Sequence, residues 1–213
     1  MSVKSTVAVA KGRIMDEVRE LWQQAEFTWP IRGGSRQLWF PATDDQPGII
    51  VARARDVCTL VARGIADFGV VGLDVLEEYP DPGVMRVMDL ELGRCRLVLA
   101  SKDARWPEGP VRVATKYPAI TRQFFQHRGH PIETLGLSGS VELAPVIGLA
   151  PYIVDVVDTG QTLKQHGLRV VDTILWSSAR LVANPGTWRI RPSSREFYQR
   201  LKTVIDRKAE DIS

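Results

Sequence analysis

The chain has 213 residues, 44% of them hydrophobic and 25% charged, with a formal net charge of +3. That is enough for one large or two small α/β cores, too apolar for disorder, and it lacks the run of about 18 apolar residues that a membrane helix needs. The excess charge is local: between Arg189 and Lys208 seven basic residues face two acidic ones, leaving 21 basic against 23 acidic residues elsewhere, so the body is not basic and a nucleic-acid partner is not expected.

In chain order, Thr6 to Ala10 (TVAVA) reads as a strand and Lys11-Gly12-Arg13 as a turn. Ile14, Met15, Val18, Leu21, Trp22 and Ala25 then recur on one helical face. Further strands are expected at Gly48–Arg53, Phe68–Val71, Arg96–Ala100, Val111–Ala114, Ile132–Leu137, Tyr152–Val157, Val170–Leu175 and Arg180–Ala183. Helices are expected at Val57–Ile65, Ala119–Arg128, Val141–Leu149 and Thr162–His166. Ser193 and Glu196, after Pro192, read as a capping box that starts a last helix with Phe197, Leu201, Val204 and Ile205 as its buried stripe. Alternating strands and helices predict an α/β fold with mainly parallel sheets.

Met88–Arg96 and Thr173–Arg180 read as hinge connections. They predict a discontinuous first domain, 1–92 plus 178–213, and an inserted second domain, 93–177, with a cleft between two lobes. Cys58 and Cys95 form no disulfide framework, and His127, His130 and His166 are too scattered for a metal cage. With no signal-like N-terminus, a reducing cytoplasm is the expected location and no membrane is involved.

The chemistry concentrates in Ile153-Val154-Asp155-Val156-Val157-Asp158-Thr159-Gly160-Gln161-Thr162-Leu163. An apolar strand ends in carboxylates and enters a Thr-Gly-x-Thr turn that opens a helix. Backbone N–H groups, two hydroxyls and a glycine that permits close approach suit a phosphate, and the upstream carboxylates suit ribose hydroxyls. The bland alternative is that Asp158 and Thr159 simply cap a helix. Glu142 lies in the first turn of the preceding expected helix, where an acidic residue is also a favourable dipole partner. Lys11 and Arg13, in a strand-to-helix turn, are candidates for anion contact, as are Arg36, within Arg32-Gly33-Gly34-Ser35-Arg36, and Arg53 at a strand end.

Glu142, Gly148, Ala150, Ile153, Asp155, Val156, Thr159, Gly160, Thr162 and Leu163 stand, without a gap, at the spacings of the ATP phosphoribosyltransferase motif, and the chain resembles that family. The likeness extends to Val7–Ile14, Arg53–Val57, Ala66–Leu76, Cys95–Val98, Arg112–Pro118 and Ala179–Leu181, with departures at Ala10, Cys58 and residues 184–192. The resemblance implies a two-lobed fold similar to periplasmic binding proteins, with the active site in the cleft. It implies transfer of the phosphoribosyl group of 5-phosphoribosyl 1-pyrophosphate to N1 of the adenine of ATP, the first step of histidine biosynthesis. A two-lobed solute-binding protein that catalyses nothing is the alternative.

Within that resemblance Arg13 and Arg36 are the expected catalytic residues, stabilising pyrophosphate and triphosphate, with Lys11, Arg53 and Lys116 as further ATP or pyrophosphate contacts. Glu142 and Asp155 are assigned to the ribose hydroxyls, and Asp158, Thr159, Gly160, Gln161 and Thr162 to the 5-phosphate. Tyr117 is left open between the nucleotide and the core. Mg²⁺ is the expected cofactor, carried by substrate phosphates with Asp158 as a candidate contact rather than by a protein cage. The length resembles the short form of the family, without a C-terminal regulatory domain. That form implies a homodimer working with a regulatory subunit similar to histidyl-tRNA synthetase, through which histidine acts. The basic C-terminal helix is assigned to subunit contact or solvation.

Overall fold

A computed structural model describes residues 5–43, 46–190 and 192–210. Arg191, one of the seven clustered basic residues, lies outside the described residues. The chain divides into two units: unit 1 runs through Gly93 and resumes at Ser178, and unit 2 is Arg94–Ser177.

Unit 1 is built on a six-stranded sheet. In chain order its elements are β1 (Thr6–Ala10), α1 (Met15–Gln24), β2 (Trp39–Phe40), β3 (Gly48–Ala52), α2 (Ala54–Ala62), β4 (Phe68–Gly72), α3 (Leu73–Glu78) and β5 (Met85–Asp89). Those of unit 2 are β6 (Cys95–Ser101), β7 (Val111–Thr115), α4 (Pro118–His127), β8 (Ile132–Gly136), β9 (Tyr152–Val157), α5 (Gln161–Gln165) and β10 (Arg169–Ser177). The chain then returns to unit 1 with β11 (Ala179–Ala183), α6 (Pro185–Ile190) and α7 (Pro192–Glu210). The sheet orders are β2-β3-β1-β4-β11-β5 and β10-β6-β9-β7-β8.

Both sheets are mixed rather than mainly parallel. Among the described strands, β1 pairs parallel with β3 and β4, and β7 with β8 and β9. The other pairings are antiparallel, and most involve the strands at the two crossings between units: β5 with β11, β11 with β4, β6 with β10, and β6 with β9. A chain that leaves by β5–β6 and returns by β10–β11 runs in opposite directions on the two crossings. That return reverses strand direction where a βαβ repeat would have preserved it.

After Thr6, β1 is apolar, as an inner strand covered on both faces requires: Val7, Ala8 and Val9 are fully buried. α1 presents Val18, Leu21 and Trp22 to the same core. There Phe197 of α7 meets Trp22 and Phe68 at ring separations of 5.4 and 4.8 Å. Phe197, Leu201 and Val204 are buried and Ile205 packs against them, so the basic helix is amphipathic and closes the core of unit 1. Unit 2 has apolar clusters on the two faces of its sheet, one around Val98, Ala114 and Ile153, the other around Leu99, Val113 and Phe125.

Several expectations are corrected. The helix expected at Val141–Leu149 is a single 3₁₀ turn, Val141–Leu143, followed by turns. Pro145 lacks the N–H a longer helix requires, and Gly148 takes φ +76°, the left-handed region that ends one. α2 begins at Ala54, three residues early, because extended Arg53 (φ −68°, ψ 150°) turns directly from strand into helix, and it ends before Gly64 at φ +69°. The hinge expected over Thr173–Arg180 contracts to Ser178, whose hydroxyl donates to Asp89 at 2.8 Å, since β10 and β11 occupy the rest. The Met88–Arg96 connection loses its start to β5. Ser193 lies inside α7, beside the Ser5 hydroxyl at 3.2 Å, and Glu196 pairs with Arg200 at 2.7 Å. The capping box is therefore not what starts that helix. Proline takes the first helical position, where a missing N–H is harmless. No helix among the described residues is long and apolar enough to cross a membrane.

Candidate functional site

In unit 2 the parallel strands β7 and β9 are in register, Thr115 beside Val154, so their carboxyl ends emerge together. This is the edge of an α/β sheet where ligands bind, because strand-to-helix loops diverge there and leave backbone groups facing outward. β9 delivers Asp155, with its side chain 18% exposed, and β7 delivers Lys116. The Lys116 ammonium stands 3.5 Å from the Asp155 carboxylate, and the N–H of Val156 donates to that carboxylate at 2.9 Å. Burial nevertheless dominates and pushes the Asp155 carboxyl above its ordinary value; Lys116 and the Val156 N–H oppose this, and the charge of Glu142 adds to it. Glu142, half-buried in the 3₁₀ turn, is thus near enough to be felt electrostatically.

The strand ends are fixed by a buried hydroxyl. Thr115, fully buried, donates to the carbonyl of Val154 at 2.8 Å and accepts the N–H of Tyr117 at 2.8 Å. This ties the Lys116 turn to the strand that carries Asp155. Sequence reasoning missed Thr115; its only signal is a hydroxyl at the last position of the strand, after Val113 and Ala114. Tyr117, left open before, packs against the apolar cluster of Leu97, Leu99 and Phe125.

Beyond β9, Asp158, Thr159, Gln161 and Thr162 are exposed, and Gly160 takes φ +77° as it turns the chain into α5. The Thr159 hydroxyl accepts the N–H of Gln161 at 3.4 Å, and the space over Gly160 is open, a built Cβ finding nothing closer than Val157 at 3.7 Å. The loop therefore exposes its amides and hydroxyls. α5 has only five residues, so it contributes its backbone N–H groups rather than a long helix dipole.

Unit 1 presents cations at the equivalent edge. β1 and β3 are parallel and in register to Ala10 and Ala52, so Lys11 and Arg53 leave adjacent strand ends, and the Lys11 N–H donates to the Ala52 carbonyl at 2.8 Å. β2 runs antiparallel to β3, and the segment before it keeps that direction, Val51 N–H donating to the Leu38 carbonyl at 2.8 Å. Arg36, exposed, precedes that segment. Arg13 follows Gly12 (φ +120°) and its guanidinium donates to the Gly93 carbonyl at 2.9 Å. Lys11, Arg13 and Arg53 thus lie just beyond the carboxyl ends of β1 and β3 in unit 1, and Lys116 stands in unit 2 against Asp155. Among the described residues no group of three or more His, Cys, Asp or Glu gathers in a metal-holding cluster.

Two cavities lie away from these strand ends. One, of about 370 Å³, is lined by Trp188, Arg189, Arg195 and Tyr198 near α6 and α7; the other, of about 510 Å³, by Val111, Arg112, Ile132 and Glu133 at the amino ends of β7 and β8.

A sequence model of the ATP phosphoribosyltransferase family matches residues 53–207. The chain is 39% identical to an ATP phosphoribosyltransferase of Pseudomonas putida over 204 residues, covering 94% of this chain and 93% of that protein. It is 40% identical to one of Geobacillus kaustophilus over 203 residues, covering 94% and 98%. Among solved structures, the ATP phosphoribosyl transferase (HisG:HisZ) complex from Thermotoga maritima superposes with a TM-score of 0.82 at 31% identity, covering 95% of this chain and 99% of that one. The GluR0 ligand-binding core, at 9% identity and a TM-score of 0.61, shares the fold alone.

Proposed function

The chain belongs to the ATP phosphoribosyltransferase family, and we propose that its two units divide the reaction between them, carboxylates and a phosphate loop in unit 2, cations in unit 1. The activity is transfer of the 5-phosphoribosyl group of phosphoribosyl pyrophosphate to N1 of the adenine of ATP, with release of pyrophosphate, in the first step of histidine biosynthesis. The N1 lone pair attacks C1 of the ribose, and pyrophosphate leaves with the electron pair of the C1–O bond. That nucleophile needs no general base, so the residues required are those that place two polyanions and stabilise the departing charge.

In unit 2, Asp155 and Glu142 accept hydrogen bonds from the ribose hydroxyls, and the loop Asp158–Thr162 holds the 5-phosphate through amides and the hydroxyls of Thr159 and Thr162. The observation that carries this reading is Asp155: a partly buried carboxylate, held by Lys116 and the Val156 N–H, immediately before that loop. Lys116 opposes the effect of burial on the Asp155 carboxyl. In unit 1, Arg13 and Arg36 meet the pyrophosphate and triphosphate, with Lys11 and Arg53 beside them. Guanidinium groups suit bidentate contact with phosphate oxygens, which lysine does not replace.

Bound Mg²⁺ would neutralise part of the pyrophosphate charge. The donor set fits an ion carried by the substrate: Asp158 is exposed beside the phosphate loop and offers one carboxylate, as Mg²⁺ that retains its waters requires.

The Thermotoga maritima relative was solved as a HisG:HisZ complex. That likeness supports assembly of this chain with a second, regulatory subunit; the resemblance of its sequence to the short form adds the reading that it is a homodimer, that the partner is similar to histidyl-tRNA synthetase and that inhibition by histidine acts through it. Buried thiols at Cys58 and Cys95 suit a reducing cytoplasm. The test is a turnover assay with ATP and phosphoribosyl pyrophosphate, combined with calorimetry of donor binding to Asp155→Ala. Weakened donor binding is expected, and wild-type affinity overturns the ribose role. Strong histidine inhibition of the chain alone overturns the partner.

A further inference from the structure

We infer that Thr115 and Thr121 are positioning residues whose buried hydroxyls lock the backbone around Lys116 and so keep its ammonium opposite Asp155. This rests on the reading of Asp155 as the carboxylate that meets the ribose, and adds to it two side chains that act through Lys116 rather than on the substrate.

Lys116 is held at the peptides on both its sides. The Thr115 carbonyl, before it, accepts the N–H of Leu137 at 2.9 Å. The N–H of Tyr117, after it, donates to Thr115 Oγ1 at 2.8 Å. The Tyr117 carbonyl in turn accepts the N–H of Thr121 at 3.0 Å and its hydroxyl at 2.6 Å. Thr115 Oγ1 also donates its one proton to the Val154 carbonyl at 2.8 Å, on the peptide that leads into Asp155. A single oxygen therefore joins the peptide after Lys116 to the peptide before Asp155. Both threonines are fully buried, so water does not compete for these bonds.

Sheet pairing does not reach the two charged groups. The register between β7 and β9 ends at Thr115 and Val154, one residue short of Lys116 and Asp155, and the hydroxyl bridge spans that gap. Lysine needs such support, because its flexible stem must be ordered before its charge is placed. The Lys116 side chain is 38% exposed, and its Nζ stands 3.5 Å from Asp155 Oδ2, the outer limit of a hydrogen bond. A small displacement of the Lys116 backbone therefore loses the contact. The charged groups felt at Asp155 are Lys116, which favours the ionised carboxyl, and Glu142 of the 3₁₀ turn, which opposes it. A misplaced Lys116 leaves Asp155 to take up its proton at higher pH.

The test is calorimetric titration of the full chain with phosphoribosyl pyrophosphate across a range of pH, with Tm measured in parallel. The variants are Thr115→Val, Thr115→Ser, Thr121→Val, Lys116→Met and each valine variant combined with Lys116→Met. In Thr115→Val, which keeps the branched shape without the hydroxyl, the fall of donor affinity towards low pH is expected to begin at higher pH than in wild type. Its affinity at neutral pH is expected to be about threefold weaker, part of the loss that follows removal of a hydrogen bond to a charged group. Thr115→Ser retains the hydroxyl and is expected to keep the wild-type pH profile, although the lost methyl lowers its Tm. Thr121→Val is expected to move the profile in the same direction by less, and it carries the test if Thr115→Val does not fold. Neither valine is expected to move the profile further once Lys116 is replaced. A lowered Tm with a wild-type pH profile in the folded valine variants, or the same shift with and without Lys116, overturns the positioning role and leaves that of Asp155 standing. Wild-type donor affinity in Asp155→Ala overturns the ribose role and the positioning role with it.

Discussion

In unit 1 the carboxyl ends of β1 and β3 release Lys11, Arg13 and Arg53, whereas in unit 2 those of β7 and β9 release Lys116, Asp155 and a loop of hydroxyls and amides. The place is the same in both sheets, the edge at which parallel strands end and loops diverge. The chemistry is opposite, because topology sets where a residue emerges and its side chain sets what it meets. Packing differs as well. Gly69 of β4 lies under α2, where a Cβ would stand 2.7 Å from Val57 and 2.9 Å from Val61, while the space over Gly160 in unit 2 is open. The glycine in unit 1 is required by space and the one in unit 2 by backbone conformation.

The largest expected effect tests the cationic edge. Arg36→Ala should lower kcat about 10²- to 10³-fold, the magnitude lost when a donor to a departing anion is removed, without changing Tm. Turnover within twofold of wild type would leave unit 1 with no role for that residue. Next comes the packing contrast: Gly69→Ala should destabilise by about 1–3 kcal/mol through overpacking, read as a lower urea midpoint, and an unchanged midpoint would show that α2 yields freely.

Asp155→Asn tests the acidic edge and separates function from stability. Burial raises the Asp155 carboxyl above its ordinary 3.8. The native state therefore keeps the proton to higher pH than the unfolded chain does. The stability this contributes is full at low pH and lost as pH rises through the raised value, so above that value the ionised group opposes folding. Asparagine should leave Tm unchanged or higher at neutral pH while weakening donor binding about tenfold, the loss of one hydrogen bond from a charged acceptor. In the wild type, donor affinity should fall as pH descends through the raised value, and in Lys116→Met that fall should begin at still higher pH. A lower Tm in the asparagine variant would reverse the assignment of burial as the dominant influence. The smallest effect belongs to Gly160→Ala, where left-handed backbone alone costs about 1 kcal/mol and no clash is added. A larger loss in a urea titration would mean that the loop packs against more than the open space over Gly160 allows for.

Much of this was legible in the chain. The β1 and β9 runs, the spacing of Asp155 to Thr162 and the buried stripe of α7 follow from period and residue type, and they identify the family's motif. The short elements were not legible. β2 has two residues and α3 and α6 six each, too few for a period to register, and the end of β5, Met88 and Asp89, falls in the expected Met88–Arg96 connection. The helix over 141–149 failed for a reason present in the sequence, since Pro145 and Gly148 outweigh the apolar pattern around them.

Sequence by itself determined the residue types at the strand ends, the family they belong to, and the split of the charge between a slightly acidic body and a basic C-terminal segment. Those are properties of local order along the chain, where a strand, a turn and a helix start lie within a few residues of each other. Only the tertiary structure decided that Lys116 faces Asp155, that Thr115 ties their strands together, and that Arg13 donates to the Gly93 carbonyl while the Gly93 N–H donates to Glu17. These contacts join residues 39 to 80 positions apart. No local pattern encodes them, because they depend on which strands the sheet places side by side.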